Sequence, residues 1–517
     1  MAMTESERRG VEIVRVVPKI GMEVHVELAT RSKMFSAVPS PASLGSAGSE
    51  EHAPNTLIDP VTLALPGALP TPNRRAVELS VRVGLALGCT IATRTVWDRK
   101  SYFYPDLPKG FQTSQLESPV CGPGLVTVPA TQDTEPFNVR ITRAHLEEDA
   151  GKLSHELPGG QRADFSIADY NRAGTPLLEI VTAPDFTSAE QCVAFSKWLR
   201  DVCRALRATE GVMQRGHMRF EPNINATLEL SSGERVVTPI VEVKNLNSFR
   251  AVAGAISYEL KTQPERWRED GEVMGPGAKS TRGWDDDRGR TFLQRTKEDA
   301  HDYRYFPCPD LMPVDLDPAW VDGLRASMPE LPADRAARYR ERLNLGWKEA
   351  QALVDEPASS DFADACIASA GDDAKAQLGA ANLVLQTGFR LAKEHGTPVD
   401  ALGVDPARVG VIARMRAAGD LSAQGADALF DALRTSEETP EAAAERLGLV
   451  TVSDDGALGA WVHEVLGDPA NAKSVEDVCA GKMAAVGRLI GGVMQKSGGQ
   501  ADAKRVRELI LEALDRA

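Results

Sequence analysis

From Ile20 to Leu28 the chain reads IGMEVHVEL, so Met22, Val24 and Val26 alternate with Glu23, His25 and Glu27. Successive side chains of a strand point to opposite faces, which places two carboxylates and an imidazole together. Such a set can converge on a divalent cation. Taken alone, the pattern also fits the solvent face of an amphipathic strand. AHLEEDAGKL (144–153) sets Glu147, Glu148 and Asp149 in succession. Three adjacent acids repel unless they are solvated or hold cations, and a solvated turn is the plainer reading. Glu179 lies in the apolar run of NRAGTPLLEIV (171–181), where an acid is costly unless paired or liganded.

GHMRFEPNINATLEL alternates in the same way. Met218, Phe220, Ile224, Ala226 and Leu228 share one face, and Arg219, Glu221, Asn223, Asn225 and Thr227 share the other. Two asparagines beside an Arg and a Glu suit a polar pocket better than a plain surface. DRKSYFYPD (98–106) mixes Arg99 and Lys100 with Tyr102, Phe103 and Tyr104, a set that could clamp phosphates and stack a base or pack a core. HDYRYFPCPDL (301–311) has similar ingredients. No GxxxxGK[ST] loop, dinucleotide GxGxxG fingerprint, HExxH helix, GxSxG elbow or kinase signature set is present. Carboxylates with a histidine and little thiolate chemistry fit Mg2+ better than zinc.

The elements that must position these residues divide the chain. Residues 1–317 read as strand-rich, with short alternating runs between Pro- and Gly-rich turns. One clear helix is expected from about Ala189 to Leu206, with Thr187 and Glu190 at capping-box spacing. Segments 39–55 and 275–290 read as mobile loops. Residues 318–447 read as a helical domain and 448–517 as a smaller helical tail, so the fold class is α+β.

With 517 residues, 42% apolar and 26% charged, the chain is an ordinary globular protein of about three domains. It contains no apolar run of membrane-spanning length and no secretory signal. Its seven dispersed cysteines read as free thiols of a reducing, cytoplasmic compartment. The net charge of −15 argues against nucleic-acid binding by bulk attraction but leaves room for a local basic patch. From Gly481 to Arg507 there are Lys482, Arg488, Lys496, Lys504, Arg505 and Arg507 against Asp502 alone, a local +5. That is an ordinary helical surface or a phosphate-backbone contact.

IGMEVHVEL, DRKSYFYPDLPKGFQTSQ, HLEEDAGKL, DYNRAGTPLLEIVTAPD, VEVKNLNSF and TRGWDDDRGRTFLQRTKEDAHDYRYFPCPDL occur in this order. Together they resemble the B subunit of the aspartyl/glutamyl-tRNA amidotransferases, and GKMAAVGRLIGGVMQKSGGQADAKRV resembles that family's C-terminal domain. The resemblance spans essentially the whole chain. It implies a cradle-shaped catalytic domain, a helical domain and a tRNA-binding tail. It also implies a reaction: ATP phosphorylates the side-chain carboxylate of Glu-tRNA(Gln) or Asp-tRNA(Asn), and ammonia then displaces the phosphate. Ammonia would come through a tunnel from a separate glutaminase subunit, and a third, small subunit would brace both. A non-discriminating synthetase is a further expected partner, and no membrane is.

Carried over position by position, Glu23, His25, Glu147, Glu148 and Glu179 would hold Mg2+, with Glu23, His25, Glu148 and Lys100 in catalysis. The family's RCDAN-like motif here reads RFEPN, so Glu221 replaces its Asp and reaches one methylene further. Arg99, Lys100 and Tyr104 are candidate ATP contacts, Lys100 also a tunnel residue, and Lys482, Lys496, Lys504, Arg505 and Arg507 candidate tRNA contacts. Many relatives carry four zinc-binding cysteines near 39–62; this chain has none there, so no structural zinc is expected. Cys308 stands where many relatives have Asp. Two rival readings are a stand-alone Mg2+-dependent ligase and a non-catalytic tRNA-binding scaffold. The basic tail speaks against the first, and the retained acids against the second.

Overall fold

A computed structural model describes residues 8, 10–41, 52–157, 161–296, 303–452 and 454–515. The chain is α+β and divides into two compact units, Met1–Leu331 and Pro332–Ala517.

The first unit is built on a nine-stranded sheet. Its strands in chain order include β1 (Ile13–Glu27), with β2 (Asp98–Ser101) and β3 (Phe111–Ser114) set apart in a small sheet of their own. There follow β4 (Gly124–Val128), β5 (Phe137–Glu148), β6 (Pro176–Thr182), β7 (Met218–Leu230), β8 (Val241–Lys244), β9 (Ser280–Asp285) and β10 (Arg290–Thr296). The spatial order is β10–β9–β8–β7–β1–β6–β5–β4, with residues 235–237 as a ninth strand on β7. β8 and β9 run parallel, and the other neighbours run antiparallel. β11 (Phe306–Pro307) completes the small sheet in the order β11–β2–β3.

Three helices, α1 (Arg74–Ala86), α2 (Ala189–Ala205) and α3 (Phe249–Asp270), bury one face of the large sheet. Leu79 and Val83, Phe195 and Leu199, and Val252 and Ile256 pack with Met22, Val24, Val26, Phe220 and Ile224 in one core. Burying each such side chain contributes about 1.5–3 kcal/mol. The residues between them on each strand are left on the opposite face, as period-two geometry requires.

The structure departs from the sequence reading in five places. α2 is the expected helix, but Ser188 is its N-cap, accepting from Gln191 N–H at 3.2 Å. The capping pair lies one residue beyond Thr187 and Glu190. α1 and α3 were not expected: α1 carries three valines and α3 holds Gly254 and Pro264, which weaken the local signal. Their caps Asn73 and Ser248 each accept backbone N–H groups of the first turn.

Segment 275–290 is not a loop throughout, because 280–285 is β9, paired with both β8 and β10. Residues 42–51, which fall in both the expected loop 39–55 and the cysteine-free stretch 39–62, lie outside the described residues. Beyond them the chain is fixed by hydrogen bonds: Asn55 N–H donates to Asp169 Oδ1 at 3.0 Å and Tyr170 N–H to Asn55 Oδ1 at 2.8 Å. Finally, the first unit ends at Leu331, not at 317, because Val321 and Leu324 of α4 (Pro318–Ala326) bury in its core.

The second unit is helical among its described residues and has two apolar cores. One runs from Tyr339 to Ala444, and its helical stretch 374–395 includes a π-helical turn at Leu383–Gly388. The other joins the helices Asp455–Leu466, Ala472–Cys479, Val486–Lys496 and Ala503–Asp515 through Leu458, Val462, Val465, Leu489, Val493, Val506 and Ile510. No helix among the described residues is long and apolar enough to cross a membrane.

Candidate metal centre

The opposite face of the sheet gathers acids from five strands. β1 lies between β7 and β6, with Glu23 opposite Glu221 and His25 opposite Glu179. β6 in turn sets Glu179 opposite His145 of β5. Glu242 of β8 stands opposite Asn223, beside Glu221. These registers produce two clusters, each offering three ligand atoms within 4.8 Å of one another: His25, Glu147 and Glu179, and Glu23, Glu221 and Glu242.

In the first cluster His25 Nε2 lies 3.6 Å from Glu147 Oε1 and 3.6 Å from Glu179 Oε2. His145 Nε2 is 3.4 Å from Glu179 Oε2 and 4.0 Å from Glu147 Oε2. Arg143 Nε–H donates to His145 Nδ1 at 3.3 Å, and that contact assigns the His145 proton to Nε2, facing the acids. His145 is thus a donor that orients carboxylates. Burial alone would lower the His25 imidazole, but the Glu179 hydrogen bond and the fields of Glu221, Glu179 and Glu147 lift it to about 9. Burial pushes Glu147 up, with Glu179 adding to the push. Burial would also raise Glu179, but His145 and His25 bracket it and hold it well below the usual carboxylate range.

In the second cluster Asn223 Nδ2 donates to Glu23 Oε1 at 3.0 Å. Lys244 Nζ lies 2.5 Å from Glu221 Oε2 and 3.1 Å from Glu242 Oε1, and Thr281 Oγ1 donates to Glu242 Oε2 at 2.9 Å. Glu23 is raised by burial and then by Glu179, Glu242 and Glu221. Glu221 and Glu242 both pair with the Lys244 ammonium, and His25 Nδ1 is buried without a partner among the described residues. Hard oxygen donors in excess of local positive charge fit divalent cations such as Mg2+.

Glu23, His25, Glu147, Glu179 and Glu221 are therefore brought together, and Glu148 is not. Strand alternation turns Glu148 to the other side of β5, where its Oε1 pairs with Lys109 Nζ and accepts Thr113 N–H at 2.9 Å. Sequence reasoning missed His145 and Glu242. Both follow from period two: His145 shares parity with Glu147, and Glu242 is the acid between Val241 and Val243.

Lys100 lies on β2 with its Nζ 4.9 Å from the Tyr303 ring centroid and 5.9 Å from that of Tyr102. Burial would lower its ammonium, but Glu147 leads the groups that hold it above its usual range. Arg99 is engaged elsewhere, stacked 4.2 Å from the Phe111 centroid and paired with Asp310. Tyr104 is 60% exposed.

A family model described as the GatB/GatE catalytic domain matches residues 18–322, and one described as the GatB domain matches residues 364–514. The B subunit of the aspartyl/glutamyl-tRNA(Asn/Gln) amidotransferase of Rhodopirellula baltica is 40% identical over 513 residues, 99% of each chain. The proteins of that name from Burkholderia ambifaria and Anaeromyxobacter sp. are 43% and 41% identical, covering 96% of this chain and 98% of theirs. The chain belongs to this family of amidotransferase B subunits.

Both acid clusters fall inside the first family match, and the basic tail falls inside the second. In this family member several tail cations are tied up locally. Arg505 pairs with Asp455 at 2.7 Å and Glu508 at 2.8 Å, Lys482 with Asp477 at 2.9 Å, and Lys496 with Glu464 at 3.0 Å. Arg488, Lys504 and Arg507 have no ion-pair partner among the described residues.

Proposed function

We propose that this chain is the amidating subunit of a tRNA-dependent amidotransferase, acting on the side-chain carboxylate of Glu-tRNA(Gln), Asp-tRNA(Asn) or both. The observation that carries the reading is the pair of acid clusters side by side on one sheet face, within a chain of this family. The carboxylate oxygen attacks the γ-phosphorus of ATP, ADP leaves, and an acyl phosphate forms. Ammonia then adds to the acyl carbon, and phosphate and a proton depart to leave the amide. Ammonia comes from a partner glutaminase subunit, and a small third subunit completes the complex.

His25, Glu147 and Glu179 would hold one Mg2+, and Glu23, Glu221 and Glu242 a second. Bound there, such ions would neutralise the phosphate oxygens and the substrate carboxylate, which otherwise repel. The chain's own side chains prepare this face. His145 fixes Glu179, Asn223 fixes Glu23, and Lys244 offsets part of the charge on Glu221 and Glu242. Lys100, set over Tyr303, supplies a fixed positive charge for the nucleotide phosphates. The tail holds the tRNA backbone, mainly through Arg488, Lys504 and Arg507.

The test is amidation of each misacylated tRNA by the reconstituted complex, supplied with ammonium and ATP–Mg2+, while glutamine hydrolysis is followed separately. His25→Ala and Glu179→Gln are expected to abolish amidation and leave glutamine hydrolysis intact. Full amidation by both variants would refute the assignment of the face.

A further inference from the structure

Lys33 is 1% exposed, and no carboxylate lies within ion-pair distance of its ammonium among the described residues. Its Nζ donates instead to three backbone carbonyls: Leu57 O at 2.6 Å, Ala173 O at 2.6 Å and Tyr170 O at 3.4 Å. A lysine ammonium has three N–H donors, so every one of them faces a carbonyl. A buried charge is tolerated when dipoles replace the water it lost. Burial lowers this ammonium to about 8, with Asp59, Glu148 and Asp169 opposing the fall.

The carbonyls belong to two separate loops, and further hydrogen bonds tie those loops together. Asn171 Oδ1 accepts the N–H groups of Thr56 and Leu57, both at 2.8 Å, while its Nδ2 donates to Ala53 O at 2.9 Å. Asn55 Nδ2 donates to Ala168 O at 3.0 Å. Gly174 has φ +82, and a Cβ there would lie 3.4 Å from Lys33 Cδ, so the loop folds closely over the lysine stem.

The loop Tyr170–Thr175 leads into β6 and clips it to the end of β5. Gly174 N–H donates to Asp149 O at 2.9 Å, and Asp149 N–H to Thr175 O at 2.8 Å. Arg172 donates to Ala150 O at 3.0 Å and Gly151 O at 2.8 Å. Immediately beyond this clip stand Glu147 on β5 and Glu179 on β6, the two acids around His25.

We propose that Lys33 is a positioning residue, a tethered cation that locks loops 53–57 and 170–174 together and thereby sets the spacing of Glu147 and Glu179. The proposal rests on the reading of the acid face as a cation site, but the lock has its own readout. Lys33→Met keeps the apolar stem and removes the three donors. In the full-length chain, amide exchange at 53–57 and 170–174 is expected to accelerate, and Mn2+ affinity to fall about tenfold, as when other supports of metal ligands are removed. Lys33→Ala should behave alike and recover both properties on addition of propylammonium, which a side chain that merely fills space would not do.

Should Lys33→Met fail to fold, Asn171→Ser releases Thr56 and Leu57 while leaving the ammonium in place. Segment 170–174 is then expected to stay protected, because Lys33 Nζ still holds Ala173 O and Tyr170 O; accelerated exchange at 170–174 in that variant would count against the lock. Unchanged exchange in Lys33→Met, or a folded Lys33→Ala indifferent to the amine, overturns the proposal. If the wild-type chain binds no Mn2+, the cation-site reading and the positioning role fall together, and the exchange measurements still decide the lock.

Discussion

Glu221 stands directly opposite Glu23 in the ladder between β1 and β7, and Glu242 brings a third carboxylate within 4.8 Å. Lys244 offsets two of them, at 2.5 Å from Glu221 and 3.1 Å from Glu242. Like charges facing across strands destabilise a sheet by roughly 0.2–1 kcal/mol per pair. Glu221→Gln is therefore expected to raise the melting temperature in the presence of a chelator, and to weaken Mn2+ binding about tenfold. Thermal unfolding with and without Mn2+ checks both. A lower melting temperature in chelator would mean that the Glu221–Lys244 pair outweighs the repulsion.

Adjacent acids on β5 should behave differently. Glu147 faces His25, whereas Glu148 faces Lys109 and Thr113 N–H. Glu147→Gln is expected to reduce Mn2+ affinity by about tenfold or more, and Glu148→Gln to leave it within about twofold. Titration calorimetry on the two variants decides, and equal losses would return Glu148 to the ligand set. Glu148→Gln should instead lower stability, because it leaves the partly buried Lys109 ammonium without its carboxylate partner.

The tail cations should separate into two kinds. Replacing Arg488, Lys504 and Arg507 by Gln is expected to flatten the salt dependence of tRNA binding. The slope of log K against log salt should drop by about 2–3, near 0.7–0.9 for each phosphate that is no longer neutralised. Replacing Lys482 and Lys496 should change it little, since Asp477 and Glu464 already neutralise them. Binding titrations from low to high salt distinguish the sets, and identical slopes would remove the tail from the interface.

Acid should loosen the tail through one pair. Hydrogen bonding to Arg505 holds Asp455 below the ordinary aspartate value of 3.8. A carboxyl depressed in the folded state adds stability above its unfolded pKa and loses it as the pH falls through the folded value. Unfolding of the tail, followed by Trp461 fluorescence, should therefore become easier below about pH 4 in the wild type. Asp455→Asn is expected to be less stable at neutral pH and to lose that part of the pH dependence. Parallel pH profiles for the two would mean that the pair contributes nothing.

Much of the acid face was legible because it is written in period two. The alternation around Glu23 and His25, and around Glu221 and Asn223, survives intact in β1 and β7. Which strands lie beside them was not legible. Glu242 joins the face only through the pairing of β8 with β7, and His145 only through that of β5 with β6. Neighbouring charges drew attention to Glu147, Glu148 and Asp149 as one group, whereas the backbone sends Glu148 away from Glu147. The helices α1 and α3 were hidden for a different reason, since tertiary burial overrides the weak propensity of valines, Gly254 and Pro264. Of the proposed nucleotide set, Arg99 carried the right charge, but the Asp310 that engages it is distant in sequence.

The central place of β1 has a consequence during synthesis. Asn223, which holds Glu23, comes 200 positions later in the chain. At about 5–20 residues per second, a nascent β1 waits roughly 10–40 s for that partner. Until β6 emerges, Met22, Val24 and Val26 would form an unpaired apolar strand, the kind of edge that recruits other chains. Glu23, His25 and Glu27 interrupt it at every second position, as gatekeeper residues do. The side chains that crowd together in the finished sheet would thus first keep the growing chain from aggregating.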